Sequence, residues 1–304
     1  MQAPKISVII CSYNRANYII LALESLALQT LDKNEFEIFV VDNNSTDNTE
    51  TVCRQFIEAN KSLNIQYIKE EKQGSSFARN TGAALAKAEW LCFIDDDAIA
   101  EKHYLERIIY FFKTTPQANA VGGRIIPRYI PQKPKWMSYH VSSLIGNFEY
   151  SDKVVEFAKE KYPLESNMII SKKEFEKIRG FSETIVGVKG TLRIGGEGKD
   201  LFFRIKQNGV RVFYDPSIIV EHITETSKLT SAYMYSVASG IGRGERLRTL
   251  AVSKWSYTKK IIEYIYKFGG SILFGLSYFL KGNPSQFWPI VKYRIDAFKG
   301  LIGK

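Results

Sequence analysis

The chain has 304 residues, of which 45% are hydrophobic and 24% charged, so it can fold around one large core or two modest ones. This composition excludes a disordered or low-complexity chain. The formal net charge of +10 is uneven: residues 1–226 hold 29 Lys or Arg and 29 Asp or Glu, whereas residues 227–304 hold 13 and 3. The C-terminal quarter is therefore predicted to attach to an anionic partner.

The three cysteines, Cys11, Cys53 and Cys92, are an odd number and form no C-x-x-C pair. Two of them lie in apolar runs, which predicts buried free thiols in a reducing compartment. The N-terminal "MQAPKISVII" reaches a strand pattern within about five residues and has no secretory n-region, h-region or cleavage site. We therefore expect the chain to face the cytosol.

Strand and helix patterns alternate four times in the first part of the chain. Strands are predicted at 5–11, 36–41, 65–69 and 90–94, and helices at 16–28, 47–59, 75–88 and 101–112. This alternation predicts an α/β fold with a Rossmann-like, mostly parallel sheet flanked by helices. Ligands of such sheets bind beyond the carboxyl ends of the strands.

The later elements are less regular. The three prolines of "PRYIPQKPK" at 127–135 predict a loop over the sheet edge. Residues 167–171 are predicted as a strand, 197–207 as a helix, and 210–214 and 218–222 as two short strands. We predict one domain over 1–226 and a helical C-terminal region over 227–304.

Polar clusters follow three of the predicted strands, at 12–15, 42–45 and 95–97. The last is "DDD", and adjacent carboxylates raise one another's pKa unless a cation or hydrogen-bond donors compensate. Carboxylates with open water positions suit Mg²⁺ or Mn²⁺, which then hold phosphates. A solvated loop or a helix cap is the alternative. Convergence of three clusters on one sheet edge favours a binding site.

Five motifs stand in order along the chain: "PKISVIICSYNRANYIILALESLALQT", "FEIFVVDNNSTDNT", "QGSSFARNTGAALAKAEWLCFIDDD", "GGEGKDLFFRI" and "VEH". Together they resemble family-two glycosyltransferases with the A-type nucleotide-sugar fold, over residues 4 to 225. The resemblance implies a metal-dependent, inverting transfer of a hexosyl or N-acetylhexosaminyl group from a nucleoside diphosphate sugar to a hydroxyl.

The resemblance also implies site residues. Asp97 and His222 would bind the Mn²⁺ or Mg²⁺ ion, and Asp42 would accept a hydrogen bond from a uracil NH, which favours a UDP-sugar. The residues assigned to the nucleotide sugar are Cys11, Ser12, Tyr13, Arg15, Asp42, Arg79, Asp95, Asp96 and Asn167.

The chain departs from the family pattern at the catalytic base. Family members carry adjacent Glu-Asp at the start of a helix, with the Asp as base, but here Gly198 follows Glu197. Glu197 is the first candidate base and Asp200, one helical turn on, is the second. The alternative is a catalytically impaired relative that only binds nucleotide sugar or carbohydrate.

Residues 227–304 also carry 14 aromatic side chains. The uncharged run 268–280 is shorter than the roughly 20 residues that span a bilayer. We predict an interfacial or re-entrant helix pair over 255–281, hinged near Gly269 and Gly270, on an anionic membrane surface rather than on nucleic acid. A lid or a dimer contact is the alternative. The prediction places the protein peripherally on the inner face of the membrane.

A position on the membrane fits a saccharide or lipid-linked saccharide acceptor in surface polysaccharide or glycolipid assembly, with Trp136 in the wall of the acceptor site.

Two enzyme classes that share α/β architecture are excluded. Nucleotidyltransferases and dinucleotide-binding oxidoreductases need glycines after the first strand, and "CSYNRANY" has none.

Overall fold

The computed structural model describes residues 3–189 and 192–304. Within them, nine strands form one mixed sheet, in chain order β1 (Ile6–Ser12), β2 (Phe36–Asp42), β3 (Ile65–Lys69), β4 (Trp90–Asp95), β5 (Ala98–Ala100), β6 (Ala120–Ile130), β7 (Val155–Glu156), β8 (Asn167–Ser171) and β11 (Val212–Glu225). A separate hairpin consists of β9 (Gly187–Lys189) and β10 (Leu192–Ile194). The order across the sheet is β3-β2-β1-β4-β8-β6-β11-β5, and β7 pairs with β11.

The helices are α1 (Ile19–Ala27), α2 (Thr49–Ala59), α3 (Ser75–Leu85), α4 (Tyr104–Thr114), α5 (Tyr139–Ser142), α6 (Lys172–Lys177), α7 (Glu197–Gln207), α8 (Ser231–Val252), α9 (Lys254–Leu280) and α10 (Phe287–Ile302). Short 3₁₀ turns occupy Ser143–Ile145, Thr226–Leu229 and Pro284–Gln286. The predicted α/β class and the four βα units are confirmed.

In the parallel half of the sheet, β3-β2-β1-β4, the central strands β1 and β2 are buried on both faces. Ile6, Val8 and Ile10 point into one apolar cluster, whereas Ile9 points into the cluster on the opposite face. Successive side chains of a strand alternate between faces, so a continuous apolar run is needed when both faces are covered. This is why "ISVII" forms a central strand.

The other half is mixed: β8 is antiparallel to β4 and to β6, and β5 and β7 are antiparallel to β11. Here two predictions are wrong. The two short strands expected at 210–214 and 218–222 are one strand, β11, which continues through Pro216. On one side of Pro216, Phe213 and Tyr214 pair with β7, and on the other side Val220 to His222 pair with β5. The loop predicted from Pro127 begins later, since β6 continues to Ile130. A proline's φ suits an extended chain, so Pro127 does not end the strand.

The chain divides into two compact units. Unit 1 comprises the residues up to Ile126, Phe148–Glu183 and Gly198–His222; unit 2 comprises Pro127–Asn147, Thr184–Glu197 and Ile223–Lys304. Both units use discontinuous segments, so the domain boundary expected at residue 226 stays a prediction. In unit 2 the long helices pack closely: a Cβ on Gly242 of α8 would overlap the carbonyl oxygen of Ala297 of α10.

The hinge predicted at Gly269 and Gly270 is wrong, because α9 runs unbroken from Lys254 to Leu280. Ser253 caps its start, where the Ser253 hydroxyl oxygen accepts a hydrogen bond from the Ser256 NH at 3.0 Å. Two glycines cost a helix about 1 kcal/mol each without breaking its hydrogen bonds. Among the described residues, no helix is both long enough and apolar enough to cross a bilayer.

Candidate active site

The three adjacent carboxylates lie at the carboxyl end of β4. Asp95 is its last residue, and Asp96 and Asp97 form the turn into β5. The side chains of Asp95 and Asp97 face His222, whereas Asp96 is directed to Ser12, whose hydroxyl donates a hydrogen bond to it at 2.7 Å. Asp96 and Asp97 are buried. The alternation expected of an extended chain therefore persists through the turn.

The histidine of this cluster comes from β11. Its position is fixed by the ladder with β5, which sets His222 opposite Ala98, directly after the turn. His222 Nε2 lies 2.9 Å from an Asp97 oxygen and 3.7 Å from an Asp95 oxygen. The three ligand atoms lie within 4.8 Å of one another. Two carboxylates and one imidazole fit a hard divalent cation such as Mn²⁺.

Two arginines approach the same carboxylates from different elements. Arg79, buried on α3, places a guanidinium nitrogen 3.6 Å from Asp95. Arg15, from the loop after β1, lies 3.9 Å from both Asp96 and Asp97. Guanidinium groups bind phosphate oxygens as well as carboxylates, so this arrangement joins a cation-binding cluster to donors suited to a diphosphate.

The pKa values of the aspartates separate in this environment. Burial, followed by the charge of Asp97, raises the pKa of Asp96 to about 7. Burial also raises the pKa of Asp95, but the hydrogen bond from His222 and the charge of Arg79 outweigh it, so this pKa lies below the ordinary value. Asp95 is thus held ionised, as a metal ligand must be.

Asp42, the residue predicted to bind the nucleobase, is the last residue of β2 and lies at the same sheet edge. It is almost fully buried; one oxygen accepts a hydrogen bond from the Ser45 NH at 2.9 Å and the other from the Tyr67 hydroxyl at 2.5 Å. Sequence analysis did not single out Tyr67. Tyr67 lies opposite Val40 on the neighbouring strand, and Asp42, two residues further on, lies opposite Lys69. The closeness of Asp42 and Tyr67 is therefore visible only once the two strands are paired.

The loops after β1 and β2 are tied together by Asn14, which has a positive φ of 54°. Its side-chain oxygen accepts a hydrogen bond from the Thr46 NH at 2.8 Å, and its own NH donates to the Ser45 hydroxyl at 2.9 Å. Asparagine tolerates this conformation better than most residues. Tyr13, next to Asn14, is half-buried beside this junction.

The cysteines are free, as predicted; Cys53 and Cys92 are buried, whereas Cys11 is half-buried. Cys11 lies at the end of β1, where burial raises the pKa of its thiol to about 12. It therefore remains a neutral thiol and is not a nucleophile at neutral pH.

Asn167, another predicted donor-site residue, lies opposite Ile94 of β4. It is fully buried at the start of β8, where its amide nitrogen donates to the carbonyls of Arg124 and Ile218, both at 3.0 Å. Its amide oxygen accepts a hydrogen bond from the Tyr104 hydroxyl at 2.9 Å. These contacts join β6, β8, β11 and α4, so the structure gives Asn167 a role inside the sheet.

The two residues predicted as candidates for the catalytic base, Glu197 and Asp200, lie at the start of α7. Glu197 is its first residue and is buried, and the carboxylate of Asp200 is paired with Arg204 at 2.8 Å. A further acid, Glu165, accepts a hydrogen bond from the Gly198 NH at 2.5 Å. Sequence analysis missed Glu165, although the glycine at 198 was the signal that a side chain from elsewhere could lie there.

Unit 2 contains a cavity of about 260 Å³ with an aromatic lining. Trp136, Trp288 and Tyr293 contribute rings, and Lys292 and Asp296 form an ion pair on its wall. Large aromatic faces beside a few polar groups are common where proteins bind amphipathic molecules. The structure therefore places Trp136, the predicted acceptor wall, in a pocket.

The surface of α9 carries a row of exposed apolar side chains. They recur every four or seven residues, which puts them on one side of the helix. The row consists of Trp255, Ile262, Tyr266, Leu273 and Leu280, of which Leu273 is 71% exposed.

A family model described as glycosyl transferase family 2 matches residues 7–179. The glucosyl-dolichyl phosphate glucuronosyltransferase of Haloferax volcanii is 28% identical over 222 residues, which cover 72% of this chain and 69% of that protein. Glycosyltransferase AglE of the same organism is 39% identical over 122 residues, and this alignment covers 40% of this chain and 40% of AglE.

Solved structures extend the likeness to the whole chain. The mannosyltransferase PcManGT from Pyrobaculum calidifontis, in complex with GDP-Man and Mn²⁺, aligns with a TM-score of 0.69 and 17% identity, over 100% of this chain and 89% of that one. TarS 1-349 of S. aureus in complex with UDP aligns with a TM-score of 0.55 and 18% identity, over 99% and 92%. The A-type glycosyltransferase fold predicted from the motifs is confirmed.

Proposed function

The chain belongs to glycosyl transferase family 2, and from this premise we propose that it is a metal-dependent, inverting glycosyltransferase that moves a sugar from a UDP-sugar to a hydroxyl of a lipid-linked saccharide. The observation that carries the proposal is the cluster of Asp95, Asp97 and His222 with Arg15 and Arg79 beside it. The Mn²⁺ bound by PcManGT and the lipid-linked substrate named for the Haloferax volcanii relative support it.

In this proposal Asp95, Asp97 and His222 hold a Mn²⁺ or Mg²⁺ ion. When bound, the ion would supply positive charge for the departing diphosphate. Arg15 and Arg79 would bind diphosphate oxygens at the same edge of the sheet and so stabilise the leaving group in the transition state.

The nucleoside would lie along the loops after β1 and β2. Tyr13 and the backbone of Cys11 and Ser12 would flank the base, and Asp42, oriented by Ser45 and Tyr67, would accept the uracil NH. Asp96, held by the Ser12 hydroxyl, would face the ribose.

The acceptor hydroxyl must lose a proton, which requires a positioned carboxylate. Of the two acids predicted from the sequence, Asp200 is already paired with Arg204. Glu197, the first residue of α7, is buried and stays the first of the two candidates.

We assign the exposed apolar row on α9 to an anionic membrane surface. Charge complementarity supports this occupant, since residues 227–304 hold 13 Lys or Arg and 3 Asp or Glu. An amphipathic helix with basic neighbours lies in the interface plane with its apolar face among the acyl chains. Each lysine close to an anionic membrane surface contributes about 1 kcal/mol to the free energy of membrane binding. Binding to the membrane would bring the protein to lipid-linked acceptors. We propose that the aromatic cavity of unit 2 binds them.

The enzymatic proposal is tested by measuring release of nucleoside diphosphate from a panel of UDP- and GDP-sugars, with Mn²⁺ and lipid-linked acceptors. Asp97→Asn should lower kcat/KM by about 10²- to 10³-fold, because it weakens the charge that stabilises the leaving group. Asp152→Asn, on an exposed aspartate, is the matched control. Full turnover by Asp97→Asn in the presence of a chelator would contradict the proposed role of the cluster.

The alternative, a relative that binds nucleotide sugar without turning it over, is favoured by the missing acid at Gly198. The same panel separates the two: binding of UDP with Mn²⁺, seen by calorimetry, together with no diphosphate release from any donor would favour the alternative.

The membrane assignment is tested by sedimentation with liposomes containing anionic lipid. Leu273→Asp should weaken partitioning at least about tenfold, since it puts a charge where the proposal inserts an exposed leucine among the acyl chains. Leu28→Asp is the control, because Leu28 is 70% exposed but lies outside the basic region. Equal binding by both variants would refute the assignment of α9.

A further inference from the structure

The space beside Gly198 is occupied by a carboxylate from another part of the chain. A Cβ built on Gly198 would lie 2.6 Å from Oε1 of Glu165 and 2.7 Å from its carboxyl carbon. The Gly198 NH donates a hydrogen bond to the same oxygen at 2.5 Å. A carboxyl group from another segment is thus present where an acidic side chain at position 198 would extend.

The backbone around Glu165 explains how it reaches this place. β8 is antiparallel to β4, with Asn167 opposite Ile94, so β8 begins at the sheet edge where β4 ends. Glu165 and Ser166 form the turn directly before β8, closed by the Asn167 NH donating to the Leu164 carbonyl at 3.0 Å. Glu165 therefore lies at the edge that carries the aspartate cluster, and it is half-buried.

We propose that Glu165, and not an acid of α7, is the catalytic base of the transfer reaction. The inference rests on the proposed glycosyltransferase function. The acceptor hydroxyl would give its proton to the Glu165 carboxylate while its oxygen forms a bond to the anomeric carbon. The bond from that carbon to the diphosphate oxygen breaks on the opposite face, and the nucleoside diphosphate leaves with the electron pair.

The glycine at 198 is required by this arrangement. Any side chain there would displace the Glu165 carboxyl group. The hydrogen bond from the Gly198 NH orients the Glu165 carboxylate. A carboxylate has about four acceptor positions, so accepting a hydrogen bond is compatible with taking up a proton. Glutamate is one methylene longer than aspartate, which allows the carboxylate to bridge from the turn to the start of α7.

A purely structural role, capping the start of α7, is the competing explanation. Glu165→Gln separates the two, because the glutamine carbonyl can still accept the Gly198 NH but cannot take a proton. The expected result is a fall in kcat of about 10²- to 10⁴-fold, loss of the acidic limb of the pH profile of kcat/KM, and unchanged UDP binding with Mn²⁺. The matched control is Glu160→Gln, on an exposed glutamate of the same segment.

Moving the acid back to α7 provides a second test. Gly198→Asp alone should lose activity, since its side chain collides with Glu165. Combined with Glu165→Ala, which vacates the space, Gly198→Asp should recover at least tenfold more transfer than Glu165→Ala alone. If the double variant does not fold, the Glu165→Gln result decides alone.

The outcomes are distinct from those that test the function itself. A wild-type protein that releases no diphosphate from any donor refutes the proposed function. A wild-type protein that transfers sugar, together with a Glu165→Gln variant that keeps wild-type kcat, overturns only the assignment of the base. Loss of transfer in Glu197→Gln but not in Glu165→Gln would return the role to α7.

Discussion

Replacing Asn167 by alanine should destabilise the fold rather than weaken donor binding. The side chain is fully buried and makes three hydrogen bonds, to the carbonyls of Arg124 and Ile218 and to the hydroxyl of Tyr104. Each such bond contributes about 1 kcal/mol net, so Asn167→Ala should cost about 3 kcal/mol in the free energy of unfolding. Tyr104→Phe removes one of the three and should cost about 1 kcal/mol.

The assay is urea unfolding of the two single variants and the double variant, with UDP binding measured in parallel by calorimetry. Because Asn167 and Tyr104 share a bond, the double variant should be less destabilised than the sum of the singles by about 1 kcal/mol. A cost below about 1 kcal/mol for Asn167→Ala, with a tenfold loss of UDP affinity, would refute this reasoning and support the donor-site assignment.

Glycine substitutions test the packing elsewhere. In unit 1, Gly82→Ala would place a methyl group 2.6 Å from Ile9 and should destabilise by about 1 to 3 kcal/mol, measured by urea unfolding. In unit 2, Gly242→Ala forces α8 away from the Ala297 carbonyl of α10 and should lower the melting temperature by several degrees. Gly269→Ala, in open space on the continuous α9, should stabilise by up to about 1 kcal/mol, whereas a hinge there would make it neutral or harmful.

The local patterns of the sequence were sufficient for the βα units and for the aspartate cluster. A strand buried on both faces needs a continuous apolar run, and an amphipathic helix needs a period near 3.6, so both can be recognised within a short window. Strand β3 and helix α7 begin and end at the predicted residues. The hinge in α9 was wrong because glycine lowers helix propensity without setting where a helix ends.

Contacts between distant segments lay outside such windows. The sequence placed Asp95, Asp96 and Asp97 side by side, but the ladder between β5 and β11 decided that two of them face His222 and one faces Ser12. In the same way, the sequence pattern places Asn167 in a mostly apolar strand, whereas the structure shows that its side chain donates a hydrogen bond to the Ile218 carbonyl of another strand.

The amino-acid sequence by itself determined the fold class, the acidic cluster at the end of β4 and the excess of positive charge beyond residue 226, because each is a property of composition or of a short repeating pattern. Only the tertiary structure decided which side chains share a site. Gly198 signals a missing acid in the sequence, yet the carboxylate beside it belongs to Glu165, in a separate turn. Packing of the turn before β8 against the start of α7 brings the two together, and the order of residues along the chain does not reveal it.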